Sequence, residues 1–291
     1  MTDSTTLDYF KTVILTCFPE LVQASFTLLT TGWDSIAIDV DDRLIFKFPR
    51  EEEAADVLRR EASMLAVVRP RVTLPVPDLV VFESPHVFSK HTKLQGDHLV
   101  TTQYEALGSV AKQRLANDIA RFYSELHALD PALMQAAGAL PTDQWPDSDF
   151  IMEGIQPFLP QELLIKAHET LDAWAQLEQD PYGIVYGFFD GHGWNMAFNH
   201  KTQTLNGMYD FGDAGLAELH QEFIYTNFIS TELTSLVITE YEHLTGFQIN
   251  CNRVSTLTGM LLLVELAEMG NDPEYATTVF ANASAWLSRQ E

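Results

Sequence analysis

Three features of the 291-residue sequence predict an α+β fold. An early pair of alternating strands is closed by an Asp-Asp turn, a mid-chain strand and hairpin carry a dense group of polar side chains, and helical periodicity fills most of the remainder. A chain of this length buries a sizeable core as one large domain or as two lobes.

Composition narrows the function. The 41 acidic against 17 basic residues give a formal charge of -24, which repels nucleic acid phosphates and anionic membranes and draws in cationic ligands. No nucleic acid and no membrane partner is therefore expected. Cys17 and Cys251 stand far apart without metal-ligand spacing, so a reducing compartment is the natural setting. The start, "MTDSTTLDYFKTVILTCF", carries Asp3 and Asp8 where a secretory signal is basic. The richest apolar run, "GMLLLVELAEMG", is broken by Glu265 and Glu268 and is too short to span a bilayer. The chain reads as cytoplasmic.

In chain order, Leu7, Phe10, Ile14 and Cys17 recur at helical spacing. "SIAIDVDDRLIFKFP" alternates Ile36, Ile38 and Val40, turns at Asp41-Asp42, and alternates Leu44, Phe46 and Phe48 up to Pro49. This is a hairpin with one apolar face, and Lys47 projects beside Ile45 from the other. Leu58, Ala62 and Leu65 stripe the next helix, and Glu61 falls on or beside that inward stripe, where a carboxylate needs a cation. "LPVPD" at 74–78 breaks the helical pattern, and "VVFESPHVFSKHTKLQG" reads as two short strands, or a strand and a connector, ending at Gly96. Leu115, Ile119, Phe122 and Leu126 form the following stripe, with His127 a structural residue at its end. Pro131, Pro141, Pro146, Pro157 and Pro160 mark a region of mixed loop and helix. The C-terminal part is helical again, with a turn at "GNDPEY", 270–275.

The polar group sits in "YGFFDGHGWN". "GIVYGFFD" reads as a buried strand running into a loop, and "NMAFNHKTQTLNGMYD" as a hairpin turning near "HKTQT". Pairing Asn195 with Asp210 centres that turn between Thr202 and Gln203, which sets the two side chains opposite each other with Asp190 on the feeding loop. Three oxygen-bearing side chains then converge on a hard divalent cation such as magnesium. Only His192 offers nitrogen, which disfavours zinc. Taken singly, Lys47 reads equally as a snorkelling strand lysine, Glu61 as an exposed helix residue, and Asp190 and Asp210 as turn formers.

Together, and in this order, the elements resemble a known family. Asp190 and Asn195, followed fifteen residues later by "DFG" at 210–212, with Lys47 on a hairpin strand and Glu61 on the next helix upstream, are similar to the kinase catalytic and metal loops and their ion pair. "GWDSIAIDVDDRLIFKFPR", "LPVP", "KLQG" and "YDFGDAG" resemble segments of the aminoglycoside phosphotransferases, most of all the 2''-phosphotransferase subgroup, over roughly residues 30 to 225. The resemblance implies a two-lobed protein-kinase-like fold, with a small antiparallel-sheet lobe at 1–92, a larger mostly helical lobe at 93–291 and a hinge at about 89–96. It implies Asp190 as catalytic base, Asn195 and Asp210 as magnesium ligands, and Lys47, oriented by Glu61, on the phosphates. Ser35, in the phosphate loop "TTGWDS" with Gly32, and Ser89 and Leu94 at the hinge complete the expected nucleotide contacts. Two departures stand out. Phe188 and Phe189 replace a histidine and a small residue before the catalytic Asp, and "ELHQE", with Glu218, Leu219 and Glu222, replaces an Asp-Pro-x-x-Asp.

The function so implied is magnesium-dependent transfer of the γ-phosphoryl group of ATP or GTP to a hydroxyl of a small cationic molecule, an aminoglycoside first. The alternatives are another small alcohol (choline-like, homoserine, macrolide or sugar), or a nucleotide-binding pseudoenzyme, which Phe188 alone favours. His192 and Trp194 are expected to shape the catalytic loop or the substrate mouth. Glu218, Glu222, Glu232, Glu240, Glu242, Glu265, Glu268 and Asp272 are expected to crowd the second lobe with negative charge, and Trp286 to offer an aromatic face. Glu265, Glu268 and Trp286 are the substrate contacts chosen from these.

Overall fold

The computed structural model describes residues 3–29 and 35–289; Gly32 of the expected phosphate loop lies outside them. Helix α1 (Asp3–Cys17) precedes strands β1 (Phe26–Leu29), β2 (Ser35–Val40) and β3 (Leu44–Pro49), helix α2 (Glu52–Val68), and strands β4 (Val80–Phe82) and β5 (Phe88–Thr92). The five strands form one antiparallel sheet in the order β1-β2-β3-β5-β4. Asp41 and Asp42 both take the left-handed conformation, φ 56° and 54°, as a tight hairpin turn between right-twisted strands requires. Strand alternation splits the sheet into two faces. Phe46, Phe48, Phe88, Ile38 and Val40 pack with Val13 and Ile14 of α1. Ile45 and Lys47 point the other way.

The rest is mostly helical. It comprises α3 (Thr101–Glu105), α4 (Ser109–His127), α5 (Pro131–Ala136), α6 (Ser148–Ile155) and α7 (Gln161–Ala175), then strands β6 (Ile184–Gly187), β7 (Met196–Asn199), β8 (Thr204–Met208) and β9 (Gly215–Glu218). A tight helical segment at Leu219–Phe228 leads into α8 (Thr231–Thr245), α9 (Cys251–Met269) and α10 (Ala276–Arg289). Two of the prolines that blurred the sequence pattern begin helices: Pro131 is the first residue of α5 and Pro160 caps α7. Proline suits that position, where a missing N–H costs no hydrogen bond.

One large apolar core joins α2 through Leu58 and Leu65 to α4 through Phe122 and Leu126, and to Phe188, Phe211 and Phe223 around the mid-chain strands. A second core packs α6, α7, α9 and α10 on Ile151, Leu171, Leu263 and Leu287. The first core matters for function. It fixes α2, and so Glu61, against the loops that follow β6 and β8.

Candidate active site

Lys47 lies mid-strand in β3, opposite Ala37 and Ser89. Because its neighbours Phe46 and Phe48 fill the α1 side, its stem has to lie on the side of α2. There its Nζ is 2.8 Å from Asp210 Oδ1 and 3.6 Å from Glu61 Oε1. Glu61 is buried and its Oε1 also accepts a hydrogen bond from the Phe211 N–H at 3.1 Å. Burial pushes Lys47 down, yet the Asp210 and Glu61 charges outweigh it and leave the ammonium above its ordinary value. Lys47 in turn holds Asp210 below the usual carboxylate range against the pull of burial. Glu61 is raised, chiefly by burial, with Lys47 opposing and Asp210 reinforcing.

The β7–β8 hairpin turns where the sequence places it, but its register differs. Asn195 accepts from the Tyr209 N–H at 3.0 Å, and Met196 pairs with Met208. Phe198 pairs with Leu205 and Asn199 with Thr204, which centres the turn one residue early, between Lys201 and Thr202, and a bulge between Met196 and Phe198 recovers only part of that offset, so Tyr209, not Asp210, faces Asn195. Asp210 follows in the left-handed conformation, φ 68°, which swings its side chain out of the hairpin to Lys47; the side chain is 51% exposed.

The catalytic loop is anchored from behind. Phe188 and Phe189 are buried, and their backbone N–H groups donate to the two oxygens of Glu222 at 2.8 and 2.9 Å. His127 bridges Glu222 Oε2 at 3.2 Å to the Tyr241 hydroxyl at 2.8 Å. Phe189 takes φ 51°, a strained conformation that surrounding contacts must hold, and Glu222 supplies two of them. The Phe188 ring packs on Phe211 and Phe122. Motif comparison places Glu222 in the segment that replaces the Asp-Pro-x-x-Asp but gives it no task; the structure supplies one. Its signal is a carboxylate four positions after the end of a strand, on a segment whose neighbours Phe223 and Ile224 are core.

In front, Asp190 Oδ1 is 2.8 Å from His192 Nε2, and Asp190 Oδ2 accepts from Asn195 Nδ2 at 2.5 Å. Asn195 Nδ2 also donates to the Asp190 backbone carbonyl at 3.1 Å. Close packing forces glycine on both sides of His192: a Cβ at Gly191 would lie 1.9 Å from the Tyr123 hydroxyl, and one at Gly193 1.8 Å from the Leu99 carbonyl. Burial lowers His192, but the hydrogen bond and charge of Asp190 more than reverse it, so the ring is raised. Glu265 of α9 lies within electrostatic reach of both, and burial together with Asp190 and Glu268 pushes it up to about 7 against the attraction of His192.

Of the other predicted contacts, Trp194 is 57% exposed and edges onto His98 with ring centres 4.9 Å apart. Glu268 is exposed beside Glu265. Ser89 is buried opposite Lys47 with its hydroxyl unpartnered among the described residues, Leu94 packs at Gly207, and Ser35 opens β2 opposite Pro49. Trp286 is part of the second core, its ring set against Gly259 of α9. Most of the acidic crowd is committed elsewhere: Glu218 to Arg253, Glu222 to the loop, Glu232 to Lys112, Glu240 to Gln113, Glu242 to the Ile249 N–H and Asp272 to the Glu274 N–H. Glu265 and Glu268 remain.

Among the described residues no group of three His, Cys, Asp or Glu is placed to hold a metal by itself. The oxygen donors nonetheless suit magnesium, which keeps waters and phosphate oxygens in its shell. Asn195 spends its amide hydrogens on Asp190, which leaves its carbonyl oxygen as a ligand atom, and Asp210 keeps one carboxylate oxygen clear of Lys47.

A strand lysine locked to a helix glutamate, a metal-type aspartate after a hairpin, and a loop aspartate held by an asparagine five residues on define a kinase-like small-molecule phosphotransferase. The model of the phosphotransferase enzyme family matches residues 25–251, and the chain belongs to that family. The chain is similar in structure to the GDP complex of wild-type aminoglycoside 2'-phosphotransferase-IIIa, with TM-score 0.81 and 21% identity over 97% of this chain and 98% of that one. It is also similar to the streptomycin-ATP complex of APH(2")-IIa, with TM-score 0.64 and 18% identity over 93% and 97%. A third similar structure is macrolide 2'-phosphotransferase type I, with TM-score 0.68 and 18% identity over 100% and 99%. No curated protein sequence matches the chain significantly. Among the described residues no helix is long and apolar enough to cross a membrane.

Proposed function

We propose that the protein transfers the γ-phosphoryl group of a nucleoside triphosphate, with magnesium, to a hydroxyl of a small polycationic acceptor, an aminoglycoside. The observation that carries the reading is the pairing of two unlike sites. Lys47 and Asp210 form a charged floor for phosphates, and Asp190 stands beside an acidic wall at Glu265. The nucleotide takes the cleft between a sheet lobe and a helical lobe that meet near 89–96.

In this mechanism Lys47, kept cationic by two carboxylates, grips the phosphates, and Glu61 keeps it from collapsing wholly onto Asp210. Asp210 and Asn195 would hold the magnesium, which when bound supplies positive charge against the phosphate oxygens. Asp190 orients the acceptor hydroxyl and takes its proton, since each carboxylate oxygen retains a lone pair beyond its bond to His192 or Asn195. Phe188 removes a polar group from the loop, and Glu222 supplies its ordering from behind, which favours an active enzyme over a pseudoenzyme. Glu265 and Glu268 receive ammonium groups, and the exposed ring of Trp194 forms one lip of the mouth.

The test is nucleotide consumption, with product mass, across a panel of aminoglycosides, macrolides and small amino alcohols. A mass gain of one phosphoryl group on an aminoglycoside is expected. Turnover of a neutral or singly charged alcohol with none on any aminoglycoside overturns the acceptor assignment and leaves the phosphotransfer mechanism standing.

A further inference from the structure

Strand β5 sends Phe88 and Lys90 to the side of α1, where Phe88 joins the core and Lys90 lies over Phe18. Ser89 and His91 therefore face the other way, on the face of Lys47 and Ile45, their cross-strand partners. His91 sits two residues nearer the end of the sheet than Ser89, about 7 Å along the strand. Its ring feels the charges of both Lys47 and Asp210. A nucleotide with its phosphates on those two residues and its base toward the strand end brings the base to His91.

The hydrogen-bond pattern fixes the chemistry of that end. Lys93 N–H donates to the Arg43 carbonyl at 2.8 Å, which continues the antiparallel ladder and turns the N–H and C=O of Thr92 away from β3. The Thr92 carbonyl lies 2.9 Å from His91 Nδ1. A carbonyl only accepts, so the proton is on Nδ1. His91 is buried, and burial lowers its pKa to about 4, so the ring is neutral at physiological pH. Its Nε2 is then a bare acceptor, and among the described residues it receives no hydrogen bond. The second lone pair of the Thr92 carbonyl is another acceptor close by.

We infer that His91 makes this enzyme select adenosine triphosphate over guanosine triphosphate. The inference rests on the reading that the cleft binds a nucleotide. Adenine carries a 6-amino group whose two N–H donors match two acceptors. Guanine carries a 6-oxo group there, an acceptor facing acceptors, and a site of buried polar groups left unpaired rejects such a replacement strongly. The similar structures hold GDP in one case and ATP in another, so the fold accommodates either base.

The test is binding and turnover of ATP, GTP, inosine triphosphate and purine riboside triphosphate, which has no 6-substituent, by the wild type, His91→Phe and His91→Ala, with magnesium present. The wild type is expected to favour ATP over both 6-oxo nucleotides by about tenfold or more, with purine riboside triphosphate between them. His91→Phe keeps the ring volume and loses the acceptor, and its ATP-to-GTP ratio is expected to fall toward parity. Equal or better use of GTP by the wild type, or an unchanged ratio in both variants, overturns the inference while nucleotide binding stands. The wild-type series decides by itself if a variant fails to fold. Failure of every nucleotide to bind would overturn the cleft reading as well.

Discussion

Two clusters of paired charge, each with a buried carboxylate at its centre, invite comparison. In the first, Lys47 joins Glu61 and Asp210. In the second, Asp180, His220, Arg253 and Glu218 tie the segment before β6 to the end of β9 and the start of α9. The second is turned inward, with only the buried Arg253 Nε lacking a hydrogen-bond partner among the described residues of the cluster. Asp180 Oδ2 accepts from both the backbone N–H and Nδ1 of His220, its Oδ1 accepts from the Tyr182 N–H, and His220 Nε2 accepts from the Asn250 N–H at 3.0 Å. Accepting at Nε2 puts the ring proton of His220 on Nδ1, toward Asp180. The first cluster is open, because Asp210 is half-exposed and retains an unspent oxygen. Burial and ion pairing therefore do not distinguish a working site from a structural clasp; unspent valence facing solvent does.

The largest effect expected from the open region is at Asp190. Asp190→Ala should lower kcat by a factor on the order of 10²–10⁴ while nucleotide affinity stays near wild type, because the base acts on the acceptor. Calorimetry and steady-state rates on one preparation check both halves. Wild-type turnover would remove Asp190 from the role of base.

The two clusters should then separate by readout. Asp180→Ala leaves buried partners uncompensated and is expected to cost about 3–5 kcal/mol of stability, with nucleotide KM little changed in the folded fraction. Lys47→Ala and Glu61→Ala should each lose most activity, with the double variant losing little more, since residues of one ion pair are non-additive. Additive losses, or a nucleotide KM that follows Asp180 as closely as Lys47, would break the contrast.

A smaller effect tests what stands behind the loop. Glu222→Gln keeps one acceptor for the Phe188 and Phe189 N–H groups and loses the other, so kcat should fall by about tenfold, the scale of one hydrogen bond to a charged group, with nucleotide affinity unchanged. An equal loss in nucleotide affinity would show that Glu222 supports the whole lobe and not the loop alone.

The sequence made some of this arrangement legible and hid the rest for physical reasons. Lys47 and Glu61 stood out because strand and helix periodicity fixes their faces, and Asp190, Asn195 and Asp210 because their order and spacing resemble the kinase catalytic and metal loops. The partnership of Asn195 with Tyr209 did not, since a bulge changes register without any residue that announces it. Glu222 was visible as a departure from the family motif, but its task was not, because that task is done through backbone N–H groups 33 and 34 residues away. His91 is one more alternating residue in a strand until the Thr92 carbonyl fixes its tautomer. The acidic crowd misled in the other direction: composition counted charges, whereas geometry assigns most of them to structural partners.

The smallest and most specific expectation follows from the acid left over. Glu265 sits at about 7, raised mainly by burial, with repulsion from Asp190 and Glu268 adding to it against His192. Its folded pKa lies above the ordinary value of 4.5, so the proton stabilises the folded state: that contribution is full below 4.5 and is lost as pH rises through about 7. Acceptor binding has the opposite sign, because an ammonium group needs the ionised form. The KM for a polycationic acceptor should therefore rise several-fold as pH falls from about 8 to 6, on the order of the tenfold that accompanies a one-unit shift. Glu265→Gln should bind the acceptor weakly at both pH values with this dependence flattened, and without acceptor should gain in Tm over the wild type above pH 7. Because Asp190 raises the neighbouring His192 ring and the substrate carries amines of its own, the comparison is made between the two proteins at each pH. A KM profile that keeps its full slope in Glu265→Gln would place the titrating group elsewhere, and the open region would then lose its acidic wall.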